Sequence, residues 1–273
     1  MYRVIALDLD GTLLRSDGTM SRRTFLTLRT CMAVGMRLVI ATSRPPRTVA
    51  KMLPPDFAAI PWVCYNGAEV YERGERTVQN ALDPALSKEI IRTIQSAAPD
   101  TTVSVEIDNQ LFSDRPISGP WIHLVADLYS VTARPAAKVI FDTARVADIG
   151  RLCAGLPGGC RAILTDGGTL RQVLTASASK AWALNVLLGR WKLTFGDVIA
   201  FGDDTNDIEM VEQSGIGIAM ANACDEFKAV ADRITLSNDD DGVAVMLEAL
   251  IEETGLGGHG SVNVRPGTGT SYQ

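Results

Sequence analysis

Short apolar runs recur along this chain, each ending in a turn or a group of polar residues. Residues 4–7, 38–41, 59–64, 198–201 and 215–220 are near-continuous apolar stretches, the pattern of strands covered on both faces. Between them the apolar positions change to helical spacing. Phe25, Leu28 and Met32 follow Ser21 and precede Gly35, which gives a helix a cap at one end and a stop at the other. Leu184, Leu187 and Leu188 mark a second helix starting at residues 177–180, and 225–231 and 242–252 two more. A strand–helix–strand unit of the length of residues 4–41 predicts a parallel pair with a right-handed crossover. After the strand at 59–64, Tyr65-Asn66-Gly67-Ala68 turns the chain, and 69–71 with 77–79 around Gly74 predict a hairpin.

The pattern changes at Asp83-Pro84, an N-cap followed by proline at the first helical position. Leu86, Ile90, Ile91 and Ile94 give one helix, and Val103, Val105 and Ile107 alternate as a half-buried strand that Asp108-Asn109 turns back to Leu111-Phe112. A helix over 119–130, a strand at 139–141, a helix over 144–154 and a strand at 162–164 follow, before Asp166-Gly167-Gly168 turns into a last strand at 170–174. Antiparallel strands mixed with helices make an α+β layer and do not continue a parallel core. The predicted fold is α/β: residues 1–82 and 179–254 form one discontinuous core, and 83–178 form an inserted cap domain that closes over the site and selects substrate. The tail 255–273, rich in Gly, Ser, Thr and Pro, is read as disordered. Its formal GxGxxG at Gly255, Gly257 and Gly260 has no strand before it and no helix after it, so a dinucleotide site is rejected. The chain has no GxxxxGK[ST].

Composition narrows the function more than the fold. At 273 residues, 46% hydrophobic and 21% charged, the chain has ample core for a globular protein. A formal charge of -6 argues against nucleic acid or an anionic membrane as the main partner. The five cysteines are odd in number and form no Cys-x-x-Cys, the usage of reduced thiols in a cytoplasmic protein. Asp8 and Asp10 interrupt the N-terminal apolar run, so no secretory signal is expected, and without an uninterrupted apolar stretch of about 18 residues no membrane span is expected. His123 and His259 are the only histidines, too few for a multi-histidine metal site, and His123 is read as a packing or surface residue.

The candidate chemistry begins at Asp8-Leu9-Asp10-Gly11-Thr12-Leu13-Leu14. A strand continuing past Leu7 would place Asp8 and Asp10 on one face. Two carboxylates about 4 Å apart repel by roughly 4 kcal/mol at an effective dielectric near 20, so one takes up a proton or a cation sits between them. The plain alternative is a solvated turn with a helix cap. Thr42, Ser43 and Arg44 end the second strand, where a hydroxyl and free backbone N–H groups can hold a phosphate or simply cap a helix. Asn66 can touch substrate or serve only as a turn residue. Lys180 opens a helix, where the dipole opposes its charge. Gly202-Asp203-Asp204-Thr205-Asn206-Asp207 is an oxygen-only acidic loop that suits Mg²⁺ and not zinc, or else caps the next helix.

DLDGTLL resembles the first motif of the haloacid dehalogenase-like (HAD) hydrolases. ATSR is similar to their second motif, with Ser43 where the related branch commonly has glycine; Lys180 matches the third, GDDTND the fourth, and the NGA at Asn66 a signature of the Cof-type (subfamily IIB) phosphatases. The resemblance spans residues 1–254. It implies a Rossmann-like doubly wound parallel-sheet core with a C2-type cap, and a Mg²⁺-dependent phosphatase that hydrolyses a small phosphomonoester, such as a sugar phosphate, through an aspartyl-phosphate. On that resemblance Asp8 is the nucleophile, and Asp10, kept partly protonated by its neighbourhood, is the acid and base. Mg²⁺ is held by Asp8, Asp203 and the backbone carbonyl of Asp10, with Asp207 ordering its waters or Lys180. Thr42, Ser43, Arg44, Lys180, Asn206 and Asn66 hold the phosphoryl group and substrate. A phosphomutase or phosphotransferase would share these motifs, and a non-catalytic phosphometabolite-binding protein would share the fold.

Overall fold

The computed structural model describes residues 2–119, 121–165 and 169–254. The turn read at 166–168 and the tail read at 255–273, with its glycine pattern, lie outside the described residues. The apolar runs become the centre of an eight-stranded sheet. β1 (Val4–Leu7) pairs in parallel with β2 (Arg37–Ala41) on one side and β12 (Val198–Gly202) on the other. β3 (Trp62–Cys64) extends the sheet beyond β2, and β13 (Ile216–Ala219) and β14 (Arg233–Ile234) extend it beyond β12, all in parallel. The hairpin of β4 (Glu69–Glu72) and β5 (Glu75–Gln79) closes one edge antiparallel.

β1 reads as a continuous apolar run because both its faces are covered. Ile5 and Leu7 pack into a cluster with Leu28 and Cys31 of α1 (Arg22–Ala33) and Val243, Leu247 and Leu250 of α9 (Gly242–Thr254). Val4 and Ala6 face the other way, toward Leu184, Leu187 and Leu188 of α6 (Lys180–Trp191) and Met210 of α7 (Ile208–Gln213). Ser21 caps α1 by accepting from the Thr24 N–H, and Gly35 turns the chain at φ +92°.

A second sheet lies between β5 and α6 in the sequence. Its strands, in spatial order, are β10 (Cys160–Thr165), β11 (Leu170–Thr175), β9 (Lys138–Asp142), β6 (Val103–Ile107), β7 (Gln110–Ser113) and β8 (Leu124–Val125), antiparallel except for the last pair. Period-2 alternation decides its two faces. Val103, Val105, Ile107, Val139, Phe141 and Val173 pack against Ile90, Ile91 and Ile94 of α3 (Pro84–Ala97), which Asp83 caps. Ser104, Glu106, Lys138 and Gln172 point the other way, and all four are buried nonetheless.

Three segments differ from the expectations above. Residues 119–130 are not one helix: β8 and the short α4 (Leu128–Val131) occupy the region, and Gly119 sits at φ +122°. The His123 ring accepts the Ile117 N–H there, so the backbone is held by a side chain in place of a helical ladder. The helix expected over 144–154 is confined to α5 (Ile149–Ala154), because Asp148 caps it. The helix expected at 225–231 is the shorter α8 (Asp225–Lys228).

Candidate active site

The parallel register of β1 and β12 sets Leu7 beside Phe201, so the chain leaves both strands at the same sheet edge. The Asp8 N–H donates to the Phe201 carbonyl at 3.2 Å, and two residues later Asp203 arrives beside it. Lys180 comes from the first turn of α6, held there by Ser179, whose hydroxyl accepts from the Trp182 N–H. Its Nζ lies 2.6 Å from Asp8 Oδ1 and 2.6 Å from Asp207 Oδ1. Asp8, Lys180 and Asp207 are all buried.

Two glycines make this approach possible. A Cβ on Gly11 (φ +74°) would stand 2.2 Å from Asp203 Oδ2, and one on Gly202 would stand 2.6 Å from the Asp207 Cβ. Any side chain at either position would push a carboxylate out of the cluster.

Carboxyl oxygens of Asp8, Asp203 and Asp207 lie within 4.8 Å of one another. Burial raises the Asp8 carboxyl well above the usual range; Lys180 opposes this, and Asp207 and Asp203 add to it. Burial, then Asp207, pushes Asp203 up to about 6, against a hydrogen bond from the Thr12 hydroxyl at 2.9 Å. Burial raises Asp207 too, against Lys180. Burial opposes the charge of Lys180, but Asp207 and Asp8 together outweigh it and hold the ammonium. Three carboxylates against one ammonium leave two negative charges, which one divalent cation balances. Asp207 Oδ2 is buried with no hydrogen-bond partner among the described residues, an acceptor a cation or its water would satisfy. The all-oxygen donor set suits a hard cation.

One expectation about this site is overturned. β1 ends at Leu7, so Asp8 and Asp10 do not share a strand face. Asp10 turns outward with its side chain 47% exposed, and Arg44 grips it bidentately, Nε to Oδ2 and Nη2 to Oδ1, both at 2.6 Å. The crowding expected between Asp8 and Asp10 falls instead between Asp8, Asp203 and Asp207. Arg44, expected at the phosphate, holds a carboxylate in this conformation.

The remaining residues lie around the cluster. Thr42 follows β2, fully buried, and its hydroxyl accepts the Arg44 N–H at 3.1 Å. Tyr65, Asn66 and Gly67 all have positive φ, a run fixed where Tyr65 N–H donates to the Arg44 carbonyl and Asn66 N–H to the Thr42 carbonyl. Asn206 donates to Asn66 at 2.9 Å, and Asn66 donates to Gln172 of the second sheet at 3.4 Å. Sequence reasoning did not single out Thr12, Lys138 or Gln172. Lys138 Nζ donates to the Ser43 carbonyl at 3.1 Å and to Gln172 Oε1 at 2.9 Å, joining the second sheet to the loop after β2. Ser43, Arg44, Glu106, Lys138 and Gln172 line a cavity of about 1210 Å³ between the two sheets.

The sequence profile of the haloacid dehalogenase-like hydrolases matches residues 5–247, and so takes in the whole cluster. The chain belongs to the haloacid dehalogenase-like hydrolases. Among its relatives is the 5-amino-6-(5-phospho-D-ribitylamino)uracil phosphatase YitU of Bacillus subtilis, 27% identical over 260 residues that cover 90% of this chain and 96% of that protein. A haloacid dehalogenase-like hydrolase from Bacteroides thetaiotaomicron superposes with a TM-score of 0.78 at 28% identity, covering 92% of this chain and all of that one. The family match and the phosphatase relatives make this chain an enzyme of the phosphatase kind. Among the described residues, no helix is long and apolar enough to cross a membrane.

Proposed function

We propose that this HAD phosphatase hydrolyses a small phosphomonoester of the sugar-phosphate or phosphopolyol kind through an aspartyl-phosphate on Asp8, with Mg²⁺ as cofactor. In this reading residues 83–178 are the cap over the site. The carrying observation is the group of buried Asp8 and Asp207 and half-buried Asp203 beside a single ammonium, placed where β1 ends. Mg²⁺ would be held by Asp8, Asp203 and the backbone carbonyl of Asp10, with Asp207 beside it. A divalent cation bound there neutralises charge on the nucleophile and the phosphoryl oxygens. The phosphorylated ribityl chain in the name of YitU supports the substrate class.

The protein's own groups supply the rest. The Thr42 hydroxyl, the Ser43 N–H, Asn206 and the Lys180 ammonium hold the phosphoryl oxygens, and Arg44 and Asn66 face the substrate. An Asp8 oxygen attacks phosphorus and the bond to the ester oxygen breaks. Asp10 gives that oxygen a proton, then takes one from the water that attacks the phosphoenzyme, and phosphate leaves with Asp8 restored. The Asp10–Arg44 pair opens for these transfers. Phosphoryl transfer needs positioning and charge compensation above all, and the cluster offers both.

Phosphate release from p-nitrophenyl phosphate and a panel of sugar and polyol monophosphates tests the reading. Turnover with Mg²⁺ that stops in EDTA and returns on adding Mg²⁺ is expected. Turnover indifferent to EDTA removes the metal, and no release from any ester removes the hydrolase.

A further inference from the structure

The cavity between the two sheets has two unlike walls. Its floor is the polar face of the second sheet, where Ser104, Glu106, Lys138 and Gln172 stand in register. Its outer wall is the segment before and into β8, where Trp121, Ile122 and Leu124 are 54%, 81% and 48% exposed and all line the same cavity as Ser43 and Arg44. Large apolar side chains left in water on a pocket rim mark a binding surface.

The wall is preformed. Arg115 donates to the carbonyls of Pro99 and Asp100, both at 3.2 Å, and fixes one end of the segment. His123 Nε2 accepts the Ile117 N–H at 3.0 Å, so Nδ1 carries the proton and donates to the Trp121 carbonyl at 2.9 Å. The indole packs on Gly119, where a Cβ would stand 2.5 Å from ring carbon Cζ3. A tryptophan held this way, about half exposed on the rim of a cavity, is a stacking platform. The cavity, at about 1210 Å³, is somewhat larger than the roughly 300–1,000 Å³ of pockets that bury a drug-sized ligand, so it has room for a substrate longer than its phosphorylated end.

We infer that the preferred substrate is a phosphomonoester whose polyhydroxylated chain lies on the polar floor and whose far end is a flat, largely apolar ring seated against Trp121 and Ile122. The inference rests on the phosphatase reading above and specifies its substrate. Trp121 is a specificity-determining residue, and His123 a positioning residue that acts through the Trp121 backbone.

A matched pair of esters tests it. Ribitol 5-phosphate and riboflavin 5′-phosphate share the phosphorylated ribityl chain and differ in the planar ring. The wild-type enzyme should favour the ring-bearing ester by about tenfold or more in kcat/KM, mainly through KM, the scale of one aromatic stack. Trp121→Ala should erase that preference while ribitol 5-phosphate and p-nitrophenyl phosphate change less than about twofold, and Trp121→Phe should restore part of it. Equal rates for the two esters, or an equal loss on both in Trp121→Ala, overturn the inference and leave the phosphatase reading standing. No release from either ester or from p-nitrophenyl phosphate sinks both. If Trp121→Ala changes the oligomeric mass in light scattering and neither rate, the wall belongs to a contact between copies and the substrate inference falls.

Discussion

The core sheet and the second sheet bury polar groups for different purposes. In the core, β1 is apolar on both faces, and the charged cluster is built from the loops beyond its end and that of β12, where Asp8 and Asp203 emerge, and from the first turn of α6. In the second sheet the polar groups lie on the strands themselves, with Ser104, Glu106, Lys138 and Gln172 in place on one face. The first arrangement fixes one constellation by backbone register and tolerates no change of size, since Gly11 and Gly202 abut carboxylates. The second offers a floor of exchangeable side chains on a constant pleat. The proposed function places bond-breaking in the core and substrate choice in the second sheet, so variants in the two regions should fail in different ways.

The largest effect belongs to the core. Asp8→Asn keeps the shape and the hydrogen-bond reach to Lys180 but removes the attacking oxyanion. Turnover of every ester should fall together by about 10⁴-fold or more, the scale of losing a catalytic nucleophile. The thermal melt should stay close to that of the wild type or rise, because one carboxylate fewer crowds the cluster. Phosphate release measured beside the melt checks both. Wild-type-like rates would remove Asp8 from its role, and a loss confined to some esters would break the division between the sheets.

A smaller, substrate-dependent effect belongs to the second sheet. Lys138 is 4% exposed, lies on the cavity face and joins Gln172 to the Ser43 carbonyl. Lys138→Met keeps the length and loses the hydrogen bonds. KM for extended phosphomonoesters should rise by about tenfold, the equivalent of ~1.4 kcal/mol, with kcat for p-nitrophenyl phosphate within about twofold. Steady-state kinetics on both substrates decide it. An equal fall in kcat on both would draw Lys138 into the chemistry and erase the contrast.

The same difference explains what could be read from the chain beforehand. β1 and β12 are unbroken apolar runs because both faces are covered, and each chemical residue stands just past such a run, where a sequence marks it. The partner of Asp8 was misplaced for a local reason. β1 stops at Leu7, the chain turns through the residues that follow with Gly11 at φ +74°, and Asp10 pairs with Arg44. Lys138 and Gln172 carry no such mark. Their meeting depends on the pairing of β9 with β11, which sets Val139 beside Val173 and Ile140 beside Gln172, and that register is set by contacts distant in sequence. The spacing of residues 119–130 suggests a helix because the His123 clamp on Ile117 leaves no trace in periodicity.

The smallest expected effect is one of stability, and its sign separates the two regions again. Asp203 has its native carboxyl raised to about 6, first by burial, and burial raises Asp8 in the same direction. Unfolded, such a group titrates near ~3.9, so between these values the native state holds more protons than the unfolded one. Stability of the metal-free protein should therefore fall as pH rises from about 4 through 6. Carboxylates shifted downward act in another window: half-buried Asp197, held low by the Thr194 N–H and by Arg3, contributes stability that is lost only below about pH 4. Mg²⁺ binds the ionised cluster and should reverse the trend, raising the melting temperature by about 5 °C at pH 7.5 when present at ~100 times its dissociation constant, and by less at pH 5. Melts in EDTA and in Mg²⁺ at the two pH values test this. A Mg²⁺ effect equal at both would mean that the cation binds outside the cluster. Asp203→Asn should flatten the pH dependence in EDTA, whereas Glu106→Gln in the second sheet, paired with Arg47 at 2.7 Å, should leave the Mg²⁺ response as it is.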